Sequence, residues 1–252
     1  MERGITGHRF FEAFFKCMME GGDYDDCVAA INPLLEDPEV YAKGGMEIYR
    51  HVLAYGAYYF SRPWKPIEVE TNHIYEVEDG LEFAFTPDLL SEWLSGPKRG
   101  SVFAIDFKFT GQYWNEGEVA MAQQLPKYIR YHNLKHAGRI HSAYLVELNT
   151  RAAKGAVGTK LFIQQPVKIT TPKLNRIQYE NEELMREIAD KKENHRESGD
   201  YVRTVDTFQC KRCFFAGDLC PADLEGRDTH RIIEREYEVN TYFEDNYGVE
   251  DG

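Results

Sequence analysis

The sequence predicts an α/β protein, with helices in its N-terminal segment and a cysteine-rich segment near its C-terminal end. Helical periodicity dominates the chain up to Phe60. The pattern then changes to extended runs rich in Val, Ile, Phe and Tyr, separated by glycine-containing turns. With 252 residues, the chain can form one elaborated domain with a substantial core.

The N-terminal segment shows helical patterns over 4–21, 25–35 and 45–60. A glycine pair stops the first of these helices, Asp25 or Asp26 caps the second, and Arg62-Pro63 ends the third. Pro38 breaks the pattern between the second and the third. In the first helix, His8 lies four residues after Gly4, so the two share one side of the helix.

The extended runs cover 67–77, 81–89, 102–109, 139–149 and 159–170. The first two are predicted to form a hairpin that turns at Glu78-Asp79-Gly80. Two more helices are predicted, over 118–136 and 179–196. Pro126 is an objection to the first of these, because proline costs an intrahelical hydrogen bond.

Composition and charge exclude several classes of protein. No apolar run is long enough to span a membrane, and charged residues interrupt the N-terminal region where a signal peptide would have an apolar core. The sequence therefore indicates a cytoplasmic protein without a membrane partner. A net charge of −12 argues against a wholly basic nucleic-acid coat.

The charges are unevenly distributed along the chain. Residues 229–252 form an acidic tail, whereas the stretch 150–179 contains basic residues and no acid. Three of these basic residues are candidates for contact with a phosphate backbone, namely Arg151, Lys154 and Lys160. The alternative is that they are solvated side chains on a hairpin.

Three of the five cysteines, Cys210, Cys213 and Cys220, are grouped near the C-terminal end. In a reduced compartment this spacing favours metal or cluster ligation over disulfides. An iron–sulfur cluster and a zinc ion both remain open, the latter with His195 or His230 as fourth ligand, and so do three buried free thiols. In each metal interpretation the site pins the C-terminal segment onto the core.

The stretch from Phe83 to Tyr128 contains the candidate catalytic residues. Asp106 and Lys108 are two residues apart in an apolar run, and in a strand this spacing puts both on one face. They form either a buried ion pair or a functional site. Asp88, on a neighbouring strand, adds a second carboxylate, and paired carboxylates suit Mg²⁺ or Mn²⁺.

Such an ion can bind a scissile phosphate and activate a water, while Lys108 supplies a fixed positive charge. Gln124 and Tyr128 follow on a predicted helix, where a spacing of four residues places them on one face. Together these residues indicate a metal-assisted hydrolytic site.

The order of these motifs resembles the PD-(D/E)xK nucleases in their RecB-type form. The matching stretches are Pro87-Asp88, Asp106-Phe107-Lys108 and the Q-x-x-x-Y pattern from Gln124 to Tyr128, with a G-x-x-x-H pattern from Gly4 to His8 upstream. The cysteines at 210, 213 and 220 are similar to the iron–sulfur staple of AddB and CRISPR-associated RecB-like exonucleases. Phage-encoded exonucleases of this group look similar overall.

The resemblance implies a restriction-endonuclease-like mixed central sheet flanked by helices, in a single nuclease domain over 1–228. It implies that Lys108 is the catalytic lysine and that Gln124 and Tyr128 orient the lysine or the DNA. Glu70 is either a supporting acid or a solvent-facing strand residue. The implied ligands of the catalytic Mg²⁺ or Mn²⁺ are His8, Asp88, Asp106 and the backbone carbonyl of Phe107.

The same resemblance implies a [4Fe-4S] cluster, with zinc as the alternative. The fourth cysteine of such a cluster normally precedes the first helix, and here Met1 lies only three residues before Gly4. We therefore expect an incomplete N-terminus, a substitute in Cys17 or Cys27, or a site of three thiolates.

The implied function is a metal-dependent exonuclease that degrades DNA from its ends, preferring single strands, in phage-type recombination, repair or degradation. Its expected partners are single-stranded DNA or duplex ends and recombination or replication proteins, in the host cytoplasm for a phage-encoded enzyme. The alternatives are an endonuclease on the same core, a non-catalytic DNA-binding or assembly subunit, and an iron–sulfur redox sensor.

Overall fold

A five-stranded mixed sheet lies at the centre of the fold, in the strand order β1-β4-β5-β6-β7. The computed structural model describes residues 2–78, 80–151 and 156–194, which belong to one compact unit, Met1–Asn194. The strands are β1 (Trp64–Val69), β2 (His73–Glu78), β3 (Leu81–Phe85), β4 (Leu89–Trp93), β5 (Val102–Thr110), β6 (Ile140–Asn149) and β7 (Phe162–Val167).

In chain order, helices precede the first strand, connect β5 to β6 and follow the last strand. They are α1 (Glu2–Met19), α2 (Tyr24–Ile31), α3 (Pro38–Ala42), α4 (Gly45–Phe60), α5 (Glu116–Met121), α6 (Gln124–Lys135) and α7 (Thr171–Asn194). Short 3-10 turns cover Asn32–Glu36 and Gly158–Lys160. None of the helices in the described ranges is both long and apolar enough to cross a membrane.

The sheet combines both kinds of strand pairing. Strands β5 and β6 are parallel, with α5 and α6 in the connection between them, and the other neighbours in the sheet are antiparallel. A parallel pair needs such a crossover connection, because the chain must return to the same end of the sheet. The predicted α/β class, with a mixed sheet and a helical N-terminal segment, is confirmed at this level.

Strand β5 is buried on both faces, which explains its nearly continuous apolar sequence. Phe103, Ile105 and Phe107 pack into one hydrophobic cluster with α1 and α4. Val102 and Ala104 belong to a second cluster, which includes side chains of α6. Because alternate residues of a strand point to opposite faces, this single strand contributes to both cores. The acidic and basic side chains of β5 therefore stand on a rigid element.

Helix α1 lies against β5 through aromatic contacts. The rings of Phe11 and Phe107 are stacked, with centroids 3.9 Å apart. Gly7 permits this approach, since a Cβ atom there would lie 2.0 Å from the ring of Phe109. Gly4 has no such role, because a Cβ atom there would meet nothing within 4 Å in the described part of the chain. The packing thus holds His8, which follows Gly7, close to the sheet.

The predicted hairpin is divided between two sheets. Its turn is correct, because β2 and β3 pair across it, but they form a separate two-stranded sheet. The start of the first run and the end of the second pair in the main sheet instead, as parts of β1 and β4, and β4 continues to Trp93, beyond the predicted run. Glu70 interrupts the first run with a left-handed backbone (φ 44°), and Pro87-Asp88 lies between the strands of the second. The break places Glu70 and Asp88 at the junction between the sheets.

The predicted helix over 118–136 is also two elements. The backbone becomes extended at Ala122 (ψ 126°), so α5 ends there and α6 begins at Gln124. Pro126 is then the third residue of α6, where a backbone N–H has no intrahelical acceptor in any case. The last predicted helix begins earlier than expected, at Thr171.

One detail of the N-terminal prediction is wrong, and another is incomplete. Helix α2 is capped by Asp23, whose side chain accepts the N–H of Asp26, because Asp23 has the extended backbone that a cap requires. Pro38 begins the short helix α3, since proline is tolerated in the first turn of a helix.

Several predictions fall outside the described residues. They are the cysteine cluster at 210, 213 and 220, His195 and His230, Lys154, the acidic tail over 229–252 and the domain boundary at 228. These predictions stay as the sequence states them.

Candidate active site

The structure brings the side chains predicted for catalysis together from three elements and from the segments that follow β1 and precede β4. His8 comes from α1, Glu70 follows β1, and Asp88 precedes β4. Asp106, Phe107 and Lys108 lie on β5, and Gln124 and Tyr128 lie on the first turns of α6. They form a continuous chain of contacts that begins at His8 and ends at Tyr128.

One end of this chain is a potential metal site. His8, Glu70 and Asp88 each direct one ligand atom into a group whose members lie within 4.8 Å of one another. His8 Nδ1 is 2.7 Å from Glu70 Oε1 and 3.6 Å from Asp88 Oδ1. Glu70 therefore belongs to the centre of the site, although its sequence context allowed a solvent-facing strand residue equally well. Asp106 stands beside this group and is engaged by Lys108.

Asp88 is held by the backbone of two neighbouring elements. Its Oδ2 atom accepts the N–H of Phe107 at 2.6 Å, and its carbonyl oxygen accepts the N–H of Glu70 at 3.1 Å. The β4–β5 ladder ends at the pair Leu89–Ile105, so Phe107 lies beyond it. Because a strand residue directs its N–H and C=O toward the same neighbour, the carbonyl of Phe107 also faces the Asp88 side.

Burial disfavours the ionised form of the two aspartates at this site. Asp88 and Asp106 are 7% and 2% exposed. Burial, reinforced by the charge of Asp106, raises the pKa of Asp88 to about 8. Burial also raises the pKa of Asp106, although Lys108 opposes the shift. A divalent cation at this position would relieve the repulsion and let both carboxylates ionise.

The imidazole of His8 responds to the same surroundings. Burial by itself lowers its pKa, but the hydrogen bond to Glu70 and the charge of Asp88 outweigh burial and raise it. Without a cation, these surroundings favour the protonated form of His8. A metal ligand must give that proton up, so cation binding and proton release are coupled at this site.

Lys108 links the carboxylates to α6. Its Nζ atom lies 3.0 Å from Asp106 Oδ2 and donates to Gln124 Oε1 at 2.9 Å. Gln124 in turn donates from Nε2 to the hydroxyl of Tyr128 at 2.9 Å. The lysine side chain remains 27% exposed, so its ammonium is fixed in position and still accessible from solvent.

A cavity of about 110 Å³ adjoins Asp106 and Lys108. Its other walls are mainly apolar and include Leu125, Leu145 and Val167. Each water occupies roughly 30 Å³ in the liquid, so the cavity can hold only a few waters beside the ammonium group. A polymeric substrate would have to approach from the exposed side of His8 and Lys108.

The basic residues of the stretch 150–179 differ in their surroundings. Arg151 packs over Gly111, just after β5. The contact is so close that a Cβ atom on that glycine would lie 2.7 Å from Arg151 Nε. Lys160 is exposed on the turn before β7. Arg176, farther along the same basic stretch, is paired with Glu180 at 2.6 Å. Of the two predicted basic residues that the structure describes, Arg151 is the one in contact with the segment that follows β5.

Cys17 and Cys27 are neighbours in the helical segment. Burial and the adjacent Cys17 raise the pKa of Cys27 to about 12, so Cys27 is a protonated thiol at neutral pH. Cys17 lies near the C-terminal end of α1, whereas His8 lies in its first half. The proposed partners of Cys17 at 210, 213 and 220 are outside the described residues.

Sequence reasoning missed a second group of polar side chains. Glu68 and His73 meet His132 and His136 near the junction of the two sheets. The His-x-x-x-His spacing on α6 was a usable signal, because it puts both rings on one helix face.

No protein-family model matches this sequence, and no curated protein matches it either. The function must therefore be argued from the chemistry of the site itself.

Proposed function

We propose that this protein is a Mg²⁺- or Mn²⁺-dependent deoxyribonuclease of the RecB-type PD-(D/E)xK group, which hydrolyses phosphodiester bonds from DNA ends. The observation that supports it best is the convergence of His8, Glu70 and Asp88 within 4.8 Å, beside an Asp106–Lys108 pair. These contacts join residues far apart in sequence. A simple buried ion pair between Asp106 and Lys108 would not require the other three.

The donor set fits a hard or borderline divalent cation. Carboxylate oxygens suit Mg²⁺ and Mn²⁺, and one imidazole among them favours Mn²⁺. His8, Glu70 and Asp88 would hold the ion, with Asp106 and the carbonyl of Phe107 as adjacent oxygen donors. When bound, the ion supplies positive charge to the scissile phosphate and lowers the pKa of an attacking water.

Lys108 contributes the fixed charge on the other side of the reacting group. Its ammonium can donate a hydrogen bond to a phosphate oxygen or to the water, and such preorganised donors stabilise a transition state without reorganisation. Gln124 is a positioning residue, because its amide accepts from Lys108 and donates to Tyr128. Burial raises the pKa of Tyr128, so the phenol remains protonated and can also donate to a DNA phosphate.

The assignment to DNA ends and the preference for single strands come from the sequence resemblance. The nearest alternative is an endonuclease on the same core, which would also cut closed circles. The proposed [4Fe-4S] cluster, with zinc as its alternative, would be structural and would not take part in hydrolysis.

The proposal predicts that Lys108→Ala destroys activity and preserves the fold. The metal ligands stay in place, but the donor to the transition state is lost, so we expect cleavage to fall by about 10²–10³-fold. The measurement is Mn²⁺-dependent release of nucleotides from end-labelled single-stranded and linear duplex DNA. Lys65→Ala is the matched control, because Lys65 is exposed on β1 and should leave the rate unchanged.

The pattern of substrates decides between the alternatives. An exonuclease leaves closed circular DNA intact, whereas an endonuclease linearises it. A wild-type protein that binds DNA but cleaves none of these substrates with either metal would overturn the proposal and support a non-catalytic subunit. Equal activity in wild type and Lys108→Ala would point to a contaminating nuclease.

A further inference from the structure

A cluster of three imidazoles lies apart from the catalytic residues. His73 is the first residue of β2, and His132 and His136 lie one turn apart at the C-terminal end of α6. Their rings contact one another pairwise, with centroid separations of 5.1 Å, 5.7 Å and 4.4 Å. One ring nitrogen of each lies within 4.8 Å of a ring nitrogen of both others.

His132 is the least expected member of this cluster. Its side chain is fully buried, at 0% exposure, and no described group lies within hydrogen-bonding distance of either ring nitrogen. The nearest carboxylate oxygen, Glu68 Oε1, is 4.0 Å from His132 Nε2. Burying a polar group without a partner is destabilising.

Another buried histidine, His51, has hydrogen-bond partners for both ring nitrogens. His51 is 2% exposed, and its two nitrogens lie 2.7 Å and 2.9 Å from the carbonyl oxygens of Glu47 and Asn149. The surroundings of His132 instead offer two further imidazoles. A metal ion binds the lone pair of a neutral imidazole nitrogen, and no described donor occupies such a lone pair on His132.

Glu68 supports the cluster from one side. Its Oε2 atom lies 2.8 Å from His73 Nε2, and its Oε1 atom accepts from Arg139 at 3.1 Å. A carboxylate that holds one nitrogen of a histidine fixes the orientation of the ring and increases the basicity of the other nitrogen. The Glu68–His73 pair therefore has the form that accompanies metal-binding histidines.

We propose that His73, His132 and His136 bind a zinc ion, with Glu68 orienting His73. Imidazole nitrogens at this spacing suit Zn²⁺ better than Mg²⁺ or Ca²⁺, which prefer oxygen. Tetrahedral zinc with Zn–N bonds of about 2.0–2.1 Å needs its nitrogens about 3.3 Å apart, so nitrogens within 4.8 Å must close by at most about 1.5 Å. His136 is exposed, and the ion can enter from its side.

The ion would clamp the small sheet onto α6. A two-stranded sheet is only marginally stable by itself, and β2 carries one ligand while α6 carries two. The same helix begins with Gln124 and Tyr128. Phe85 of β3 stacks on both His73 and Tyr128, with centroids 5.3 Å and 5.9 Å away. The zinc site thus stabilises the side of the active site formed by α6, independently of the nuclease assignment.

The test compares wild type, His136→Gln and His141→Gln after removal of metals with a chelator. His136 and His141 are both exposed, so neither change disturbs the core, and His141 lies on β6 outside the cluster. Zinc is titrated in competition with a chromophoric chelator, and the thermal midpoint is measured with and without zinc. Zinc bound by the cysteines is common to all three proteins and cancels in the comparison.

We expect wild type and His141→Gln to bind one more equivalent of zinc than His136→Gln, or to bind it more than about 10-fold more tightly. Zinc should raise the thermal midpoint of the first two proteins by more than that of the third. Equal stoichiometry, affinity and thermal response in all three proteins would overturn the proposal. Asp106→Asn should keep the zinc equivalent, which separates this site from the catalytic one.

Discussion

At the scale of single residues, Asp88 has two attractive contacts and one repulsive one. It accepts the N–H of Phe107, lies 3.6 Å from His8 and is repelled by Asp106. A proton on the carboxyl, or a positive charge among these groups, relieves the repulsion. In metal-free protein, burial and this repulsion make the ionised form of Asp88 costly.

This cost predicts a pH dependence for metal-free protein. The pKa of Asp88 is raised from 3.8 to about 8, so the folded state keeps a proton that the unfolded state releases. Stability from this group is then fully present below about pH 4 and is lost as pH rises to about pH 8. Asp88→Asn keeps an acceptor for the Phe107 N–H and avoids the loss.

We therefore expect the stability advantage of Asp88→Asn over wild type to grow between about pH 4 and pH 8 and to level off above that range. Urea unfolding in the presence of a chelator measures it. Glu82→Gln, at an exposed position on β3, should show no such window. A difference between Asp88→Asn and wild type that stays constant with pH would contradict the assignment of the shift to Asp88.

At the scale of elements, the site depends on how closely α1 approaches β5. The contact is made by Phe11 on Phe107 and by Gly7 against Phe109. His8 follows Gly7 directly, so any displacement of the helix is passed on to the ligand. The glycine that matters for packing is thus Gly7, although the sequence motif begins at Gly4.

Gly7→Ala should lower the free energy of unfolding by about 1–3 kcal/mol, because the new methyl group overlaps the ring of Phe109. Mn²⁺ affinity should fall as well, since His8 moves away from Asp88. Chemical unfolding and Mn²⁺ calorimetry provide the two measurements.

Gly4→Ala is the matched control for this prediction. It should be neutral or stabilising by up to about 1 kcal/mol, because alanine favours the helix and meets nothing in the described structure. Equal destabilisation by the two changes would mean that helix propensity, and not packing against β5, determines the result.

At the scale of the whole molecule, the described residues form a rigid five-stranded sheet and a smaller, less firmly packed two-stranded sheet. Strand β5 is buried on both faces, whereas β2 and β3 pair only with each other. The small sheet is held to the rest by α6, α7 and the histidine cluster. Its exposed ion pair between Glu78 and Arg186 adds little, because solvent screens such pairs.

We expect the amides of β2 and β3 to exchange hydrogen faster than those of β5 in metal-free protein. Zinc should slow exchange in 73–78 and 81–85 of wild type and have a smaller effect on His136→Gln. Hydrogen-exchange mass spectrometry resolves the three strands. Equal protection of β2 and β5 without metal would show that the small sheet needs no clamp.

The local chemistry of the catalytic strand and helix could be predicted from the sequence. A period of two places Asp106 and Lys108 on one face, and a spacing of four brings Gln124 to Tyr128, because both relations depend only on the geometry of one element. The α/β class follows for the same reason, since hydrophobic periodicity is a local property of the chain.

Only the tertiary structure decided which distant residues meet. His8 and Glu70 are 62 positions apart, and their contact depends on the packing of α1 against β5 and on the left-handed backbone at Glu70. The meeting of His73 with His132 depends on the division of one predicted hairpin between two sheets. Sequence spacing cannot show such contacts, because they are set by the packing of whole elements and not by the period of any one of them.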